Sequence, residues 1–251
     1  MKKSVAIVVV CSLAFVGLSF FSIGCGSKAV TYDPFIVPRD QFFGRLKTIA
    51  LGPIWTPKDV PVSDSVKAQF ESLLSAELRG AGFTIIPSEE QETLWKALSD
   101  SMGGMYDPNT GKADTVKAKA VWEQTYRQLQ AKFGVDAVLF PEIDIVLAKL
   151  DNEKAKWDGT SEHVQKKAFW KRMLGVTHFG TIRALSFVVS LKDNGYTSLY
   201  VNAGGIQTLD KVRATGGFEA VPQEELFAKE ERNIKAVRLA LDPLLGRKSS
   251  K

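Results

Sequence analysis

The sequence predicts an α/β fold: a mixed sheet of about five strands with helices on both faces, in the order β-α-β-α-α-β-β-β-α. Three observations carry this. Short apolar runs at residues 46–51, 83–86 and 135–140 have the length and aliphatic content of buried strands. The stretches between them place apolar residues at helical spacing and end on glycine, as helices commonly do. Residues 184–203 alternate apolar and polar around Asp193-Asn194-Gly195, the pattern of an antiparallel hairpin.

The first strand, Leu46-Lys47-Thr48-Ile49-Ala50-Leu51, stops at Gly52-Pro53. Ser63 or Asp64 is placed to cap the next helix, whose apolar face is Val66, Phe70, Leu73, Leu74 and Leu78. Gly80 and Gly82 end it before the second strand, Phe83-Thr84-Ile85-Ile86. A strand, a helix and a strand with short joins make a right-handed crossover, so these strands run parallel. Ser88 and Gln91 read as a capping box for a second helix carrying Leu94, Trp95 and Leu98. Residues 102–112, with three glycines and a proline, form a loop. A third helix presents Val116, Trp122, Tyr126, Leu129 and Phe133, and Gly134 caps it.

The third parallel strand continues past Pro141 through Ile143, Ile145 and Leu147. Proline cannot donate to a ladder, so Pro141 marks a bulge or an edge. Residues 151–178 are polar, basic and aromatic, and read as an insertion. Leu185, Phe187, Val189 and Leu191 share one face of the hairpin, whose tight primed turn takes its positive φ angles from Asn194-Gly195. Gly204-Gly205 permits a bulge or a close backbone approach. Pro222 and Glu224 open a closing helix that carries Leu226, Ile234, Val237 and Leu241, with Pro243 ending or kinking it.

Ahead of this body, Lys2 and Lys3 precede an apolar run over residues 5–21, then Ser22-Ile23-Gly24-Cys25. A basic start and an apolar segment read as an export signal. The Gly24-Cys25 ending resembles a bacterial lipoprotein signal, in which the cysteine receives lipid and becomes the new N-terminus; Ser22 stands where a larger aliphatic residue is usual. The run is also near the lower length of a spanning helix, so an uncleaved anchor and plain secretion are the alternatives. The chain then divides into a signal peptide at 1–24, a lipid-anchored tether at 25–45, an α/β envelope domain at 46–246 and a tail at 247–251. Cys11 and Cys25, the two cysteines, both belong to the leader or its cut site, so the mature body makes no disulfide and holds together by packing. Without Lys2 and Lys3, 31 basic residues stand against 28 acidic ones, a balance too mild to point to nucleic acid.

The strand at residues 47–51, the helix ending Leu-Arg-Gly-Ala-Gly-Phe at 78–83, the Gly-Val-Asp-Ala-Val strand at 134–138, the hairpin and the last helix resemble a group of envelope domains. These are the periplasmic domain of the curli-secretion-channel lipoproteins, the N-terminal domain of TolB, and the lipoprotein activators of penicillin-binding proteins. The resemblance implies a non-enzymatic, lipid-anchored envelope protein that binds another envelope protein or forms a self-associating secretion assembly. Gly26 after the cysteine implies the outer membrane by resemblance to enterobacterial sorting.

Candidate chemistry is sparse. Residues 104–112 end in Gly111-Lys112, but Tyr106 and Ala113 stand where a phosphate loop requires glycine and Ser or Thr. Glu142 and Asp144 leave the same face of a strand, about 6.6 Å apart along the chain, a pair that could serve glycoside hydrolysis; with no second acidic strand to close a cleft, the wet side of a strand is the preferred account. His163 and His178 lack a partner at metal-binding spacing, and Asp151, Glu153, Asp158 and Glu162 lack calcium-loop spacing, so no metal or cofactor is expected. Lys166, Lys167, Lys171 and Arg172 interleave with Phe169, Trp170, Met173 and Leu174. Such a basic-aromatic segment suits a membrane or partner surface, or a surface helix with its aromatics turned inward.

Overall fold

A computed structural model describes residues 33–40, 44–106, 110–151, 153–164, 179–213 and 217–247. The parallel core is as expected. Strand β1 (Thr48–Leu51) runs parallel to β2 (Thr84–Ile86) on one side and to β3 (Ala137–Asp151) on the other. Helix α1 (Asp64–Gly80) is the crossover between β1 and β2; α2 (Ser88–Ser101) and α3 (Thr115–Phe133) lead into β3. Ser63 accepts the Val66 N–H as the α1 cap, and Gly134, at φ +68°, closes α3 in the left-handed conformation. The sheet is larger than expected, with seven strands, because the polar stretch after β3 folds as a hairpin of β4 (Lys154–Trp157) and β5 (Thr160–His163). Strand β6 (Phe179–Lys192) pairs antiparallel with β3 along its length, and β7 (Ser198–Thr208) pairs with β6. Strands β8 (Asp210–Val212) and β9 (Phe218–Ala220) form a separate two-stranded sheet, and α4 (Glu230–Leu241) closes the chain.

Helices cover both faces. Against one face α1 and α4 bury Phe70, Leu74, Leu78, Val237 and Leu241 on Leu139, Ile143, Leu185, Phe187, Val189 and Leu191. The opposite face carries Trp122, Tyr126 and Leu129 of α3 on Ala50 and Val138. Further along that same face, Ala148, Leu150, Ala155, Trp157, Ile182, Ala184 and Val212 make another core, built by the β4–β5 hairpin. Hydrogen bonds from Gly205 N–H to the Asp158 carbonyl and from Val212 N–H to the Val164 carbonyl tie that hairpin to the far strands. Arg183 grips Asp210 through two bonds of 2.8 and 2.9 Å.

Gly204-Gly205 makes both expected features real. The β6–β7 register shifts between Leu185 and Ser186, beside these glycines, and both glycines are pressed upon. A Cβ on Gly204 would run into the Ala236 carbonyl oxygen and lie 2.8 Å from Leu239 Cβ of α4. One on Gly205 would lie 2.6 Å from Trp157 Nε1 and 2.8 Å from Thr160 Cβ on the other face. The α4 carbonyls beyond this contact are satisfied from the sheet: Asn202 Nδ2 donates to Leu239 and Ala240, and the Tyr200 hydroxyl donates to Ala240. Pro141 also sits as expected, at an edge. The Leu139 and Pro141 carbonyls accept from Gly52 and Trp55, so the ring nitrogen faces the side where β1 has already ended.

Four local expectations are corrected. Ser88 is a helical residue, preceded by Pro87, and its N–H and hydroxyl both donate to Glu71 of α1, so no capping box with Gln91 forms. Residues 223–225 make one 3-10 turn and α4 starts at Glu230, which leaves Leu226 off the helix. The 193–197 loop is five residues long: Asp193 Oδ1 accepts the Gly195 and Thr197 N–H groups, and Tyr196, at φ +64°, takes the left-handed place. Val116 of α3 faces solvent, because the helix begins one residue earlier and its buried face starts at Val121.

Gly204→Ala is expected to destabilise the fold by about 1–3 kcal/mol, the range for forcing atoms into a packed site. Gly80→Ala at the end of α1, where a Cβ meets open space, should stabilise by about 0.5–1 kcal/mol. Urea unfolding midpoints of the two variants check both.

Candidate binding face

Among the described residues, the sheet face shared by α3 and the β4–β5 hairpin is covered at its two ends and carries exposed side chains between them. Side chains directly opposite in an antiparallel pair share a face, so Phe140, Glu142 and Asp144 of β3 lie with Ser190, Val188 and Ser186 of β6. Trp55 forms a parallel bridge to Glu142 and so stands on this face beside it. The bridge is made by Trp55 N–H on the Pro141 carbonyl at 3.1 Å and Ile143 N–H on the Trp55 carbonyl at 2.8 Å. Ile54, one residue earlier, is buried on the other face. The alternation leaves the Trp55 indole 65% exposed.

Glu142 and Asp144 are exposed, as the strand alternation predicts, with Ile143 buried behind them. Asp144 Oδ1 accepts the Ile145 N–H at 2.7 Å. Among the described residues no lysine or arginine forms an ion pair with either carboxylate. Although Glu142 is exposed, partial desolvation of its carboxyl against the sheet, and then the charge on Asp144, push it above its ordinary value. Among the described residues no second acidic strand faces the pair, and no group of three or more His, Cys, Asp or Glu is placed to hold a metal. The arrangement is suited to attracting a cation and stacking a flat group on Trp55.

An aromatic cluster borders the face toward the 193–197 loop. Trp122 lies 5.1 Å from Phe140 and 4.9 Å from Tyr196, and Lys192 Nζ sits 3.6 Å from the Tyr196 ring centre. This cluster holds Tyr196 in its left-handed conformation, a place glycine usually fills. The buried Trp122 Nε1 and Thr125 Oγ1 find no hydrogen-bond partner among the described residues. Sequence reading missed both Trp55 and Tyr196 as site residues. Glycine and proline before Trp55 and the Asn-Gly pair before Tyr196 mark the loops, while the contacts are made by distant strands.

The other candidates have structural roles. Glu162 accepts from Thr208 and Arg232, Asp151 pairs with Lys156, and Asp158 accepts the Ser186 hydroxyl. The Glu153 carbonyl accepts the Val164 N–H. His163 lies on β5 opposite Lys154. The Gly104 to Lys112 stretch lies in sequence between α2 and α3, with Tyr106 and Ala113 bridged, whereas a phosphate loop follows a strand. Cys25, Lys166, Lys167, Phe169, Trp170, Lys171, Arg172 and His178 lie outside the described residues. No helix among the described residues is long and apolar enough to cross a membrane.

The chain is thus a mixed-sheet α/β domain with an open, acidic and aromatic strip on one face. No family model matches it, and no curated protein matches its sequence. Among solved structures it is similar to the PelC dodecamer from Paraburkholderia phytofirmans, at 11% identity over 81% of this chain and 91% of that one, with a TM-score of 0.36. A PelC variant from the same organism gives 9% identity and the same coverage and score. A neuraminyllactose-binding hemagglutinin homologue from Helicobacter pylori shares 10% identity over 80% of this chain and 82% of its own, with a TM-score of 0.31. At such values these neighbours lend the chain neither an activity nor an assembly.

Because the raised Glu142 is harder to ionise in the fold than in the unfolded chain, it opposes folding at neutral pH. That penalty fades as the pH falls through the folded value toward the unfolded one of about 4.3. Glu142→Gln should therefore raise the thermal midpoint at pH 7, and the gain should vanish near pH 4.

Proposed function

We propose that this chain is a lipid-anchored lipoprotein of the cell envelope whose α/β body binds another envelope protein and catalyses no reaction. The observation that carries the proposal is the leader: Lys2-Lys3, the apolar run at 5–21 and Gly24-Cys25, followed by a body with no other cysteine. The fold supports it, since the body packs without a disulfide, and the acidic residues considered for chemistry outside the open strip serve structural bonds. In this reading lipid on Cys25 ties the body to a bilayer, and Gly26, by resemblance to enterobacterial sorting, supports the outer membrane, facing the periplasm. With its body held at a surface, the protein meets membrane-bound partners at raised effective concentration.

Labelling cells with a fatty-acid analogue tests the anchor. Wild-type protein should carry label and lose residues 1–24, and Cys25→Ala should be unlabelled and keep its leader. A labelled, processed Cys25→Ala product, or full-length wild-type protein in the cytosol, would overturn the proposal.

A further inference from the structure

Strand β3 has one edge that is paired throughout and one that is not. Its β6 side is laddered from Val138 to Asp151. On the other side β1 pairs at residues 137–139, Trp55 bridges Glu142, and β4 pairs only from Lys149 onward. Between Glu142 and Lys149, about 23 Å at ~3.3 Å per residue, no described strand pairs with that edge. Ladder alternation points the odd residues there: the Leu139 and Pro141 carbonyls and the Ile143 N–H already bond on this side. The Ile145 carbonyl and the Leu147 N–H and carbonyl follow into the gap, while the Ile145 N–H is taken by Asp144. Leu147 is 68% exposed beside it.

An unpaired edge is a template for an added strand, and proteins usually blunt such edges with charge. Here the charge is divided by face: on the Trp55 face Glu142 and Asp144 flank the start of the gap, while Lys149, Lys156 and Arg183 lie on the Leu147 face. We infer that this gap is a docking site for an extended, arginine-bearing segment of a protein partner. The inference rests on the partner-binding reading above and names that partner's chemistry. Backbone pairing to Ile145 and Leu147 supplies the register. Alternate side chains then emerge on the Trp55 face, where a guanidinium fork fits a carboxylate and its plane stacks on the indole. Side chains of the other parity emerge beside Leu147, which suits an apolar residue. Edge-to-edge pairing with a second copy is disfavoured by the same charges. The two-fold axis of such a pair keeps both copies' Glu142 and Asp144 on one face.

The test uses full-length protein in non-ionic detergent and a fluorescent peptide of alternating arginine and valine. Anisotropy should show binding that weakens as salt rises, and a glutamate-for-arginine peptide should not bind. Glu142→Gln with Asp144→Asn, and separately Trp55→Ala, should each lower affinity at least tenfold. Two peptides methylated on alternate amides, one per register, should differ, with one retaining affinity and the other losing it. Equal binding of the arginine and glutamate peptides, unchanged affinity in the double variant, or equal tolerance of both methylation registers would overturn the inference. So would sedimentation showing that the double variant dissolves a self-associated form that excludes the peptide. The assay is independent of acylation: an unlabelled Cys25 with intact peptide binding sinks the anchoring reading alone, and a labelled Cys25 with no peptide binding sinks this one alone.

Discussion

The β3–β6 ladder is the interaction on which the remaining structure depends. It runs unbroken from Val138–Lys192 to Asp151–Phe179 and is the one element common to every core of the body. At its β1 end it floors the packing of α1, α3 and α4. At its other end it floors the small core under the β4–β5 hairpin. Two regions that would each be modest alone thereby share one backbone frame. The Gly204-Gly205 pair beside this ladder fixes how closely α4 and the hairpin tip approach it, one from each face. A side chain at either position would push a cover off the sheet.

That frame also explains the open strip. Strand β3 is longer than β1 and outlasts it by a dozen residues, and β4 pairs with only its last three. Helix α3 reaches one end of the shared face and the hairpin the other, so no described element covers the middle. The residues found there, Trp55, Glu142 and Asp144, are those that tolerate water on one side and a ligand on the other. The Trp55 bridge matters twice, because it ends the β1 extension and sets an indole next to the carboxylates.

Much of this was legible in the sequence. Helical spacing located α1, α2 and α3, continuous apolar runs located β1, β2 and the start of β3, which are buried on both faces, and alternation located β6 and β7. The Gly204-Gly205 reading came true because only glycine fits two close approaches. What escaped has a common cause: it is decided by residues far away in the chain. Strand β4 buries just Ala155 and Trp157 among lysines, too little signal to separate it from a polar insertion. The 193–197 loop looked like a two-residue turn because Asn-Gly is the stronger local cue. Two bonds to the Asp193 carboxylate, with Trp122 against Tyr196, moved the left-handed place one residue on. Glu142 and Asp144 were placed on one face correctly, yet nothing local told that Trp55 would join them.

The account turns on β3 being paired along one edge and left without a described partner between Glu142 and Lys149 on the other, and amide hydrogen exchange read residue by residue reports that directly. The Val146 and Ala148 N–H groups face β6 and should exchange only through large-scale opening. The Leu147 N–H between them faces the gap and should exchange orders of magnitude faster, in the middle of the most protected strand. Equal protection at Leu147 and its two neighbours would mean that the edge is already covered, and the open-edge account would be contradicted.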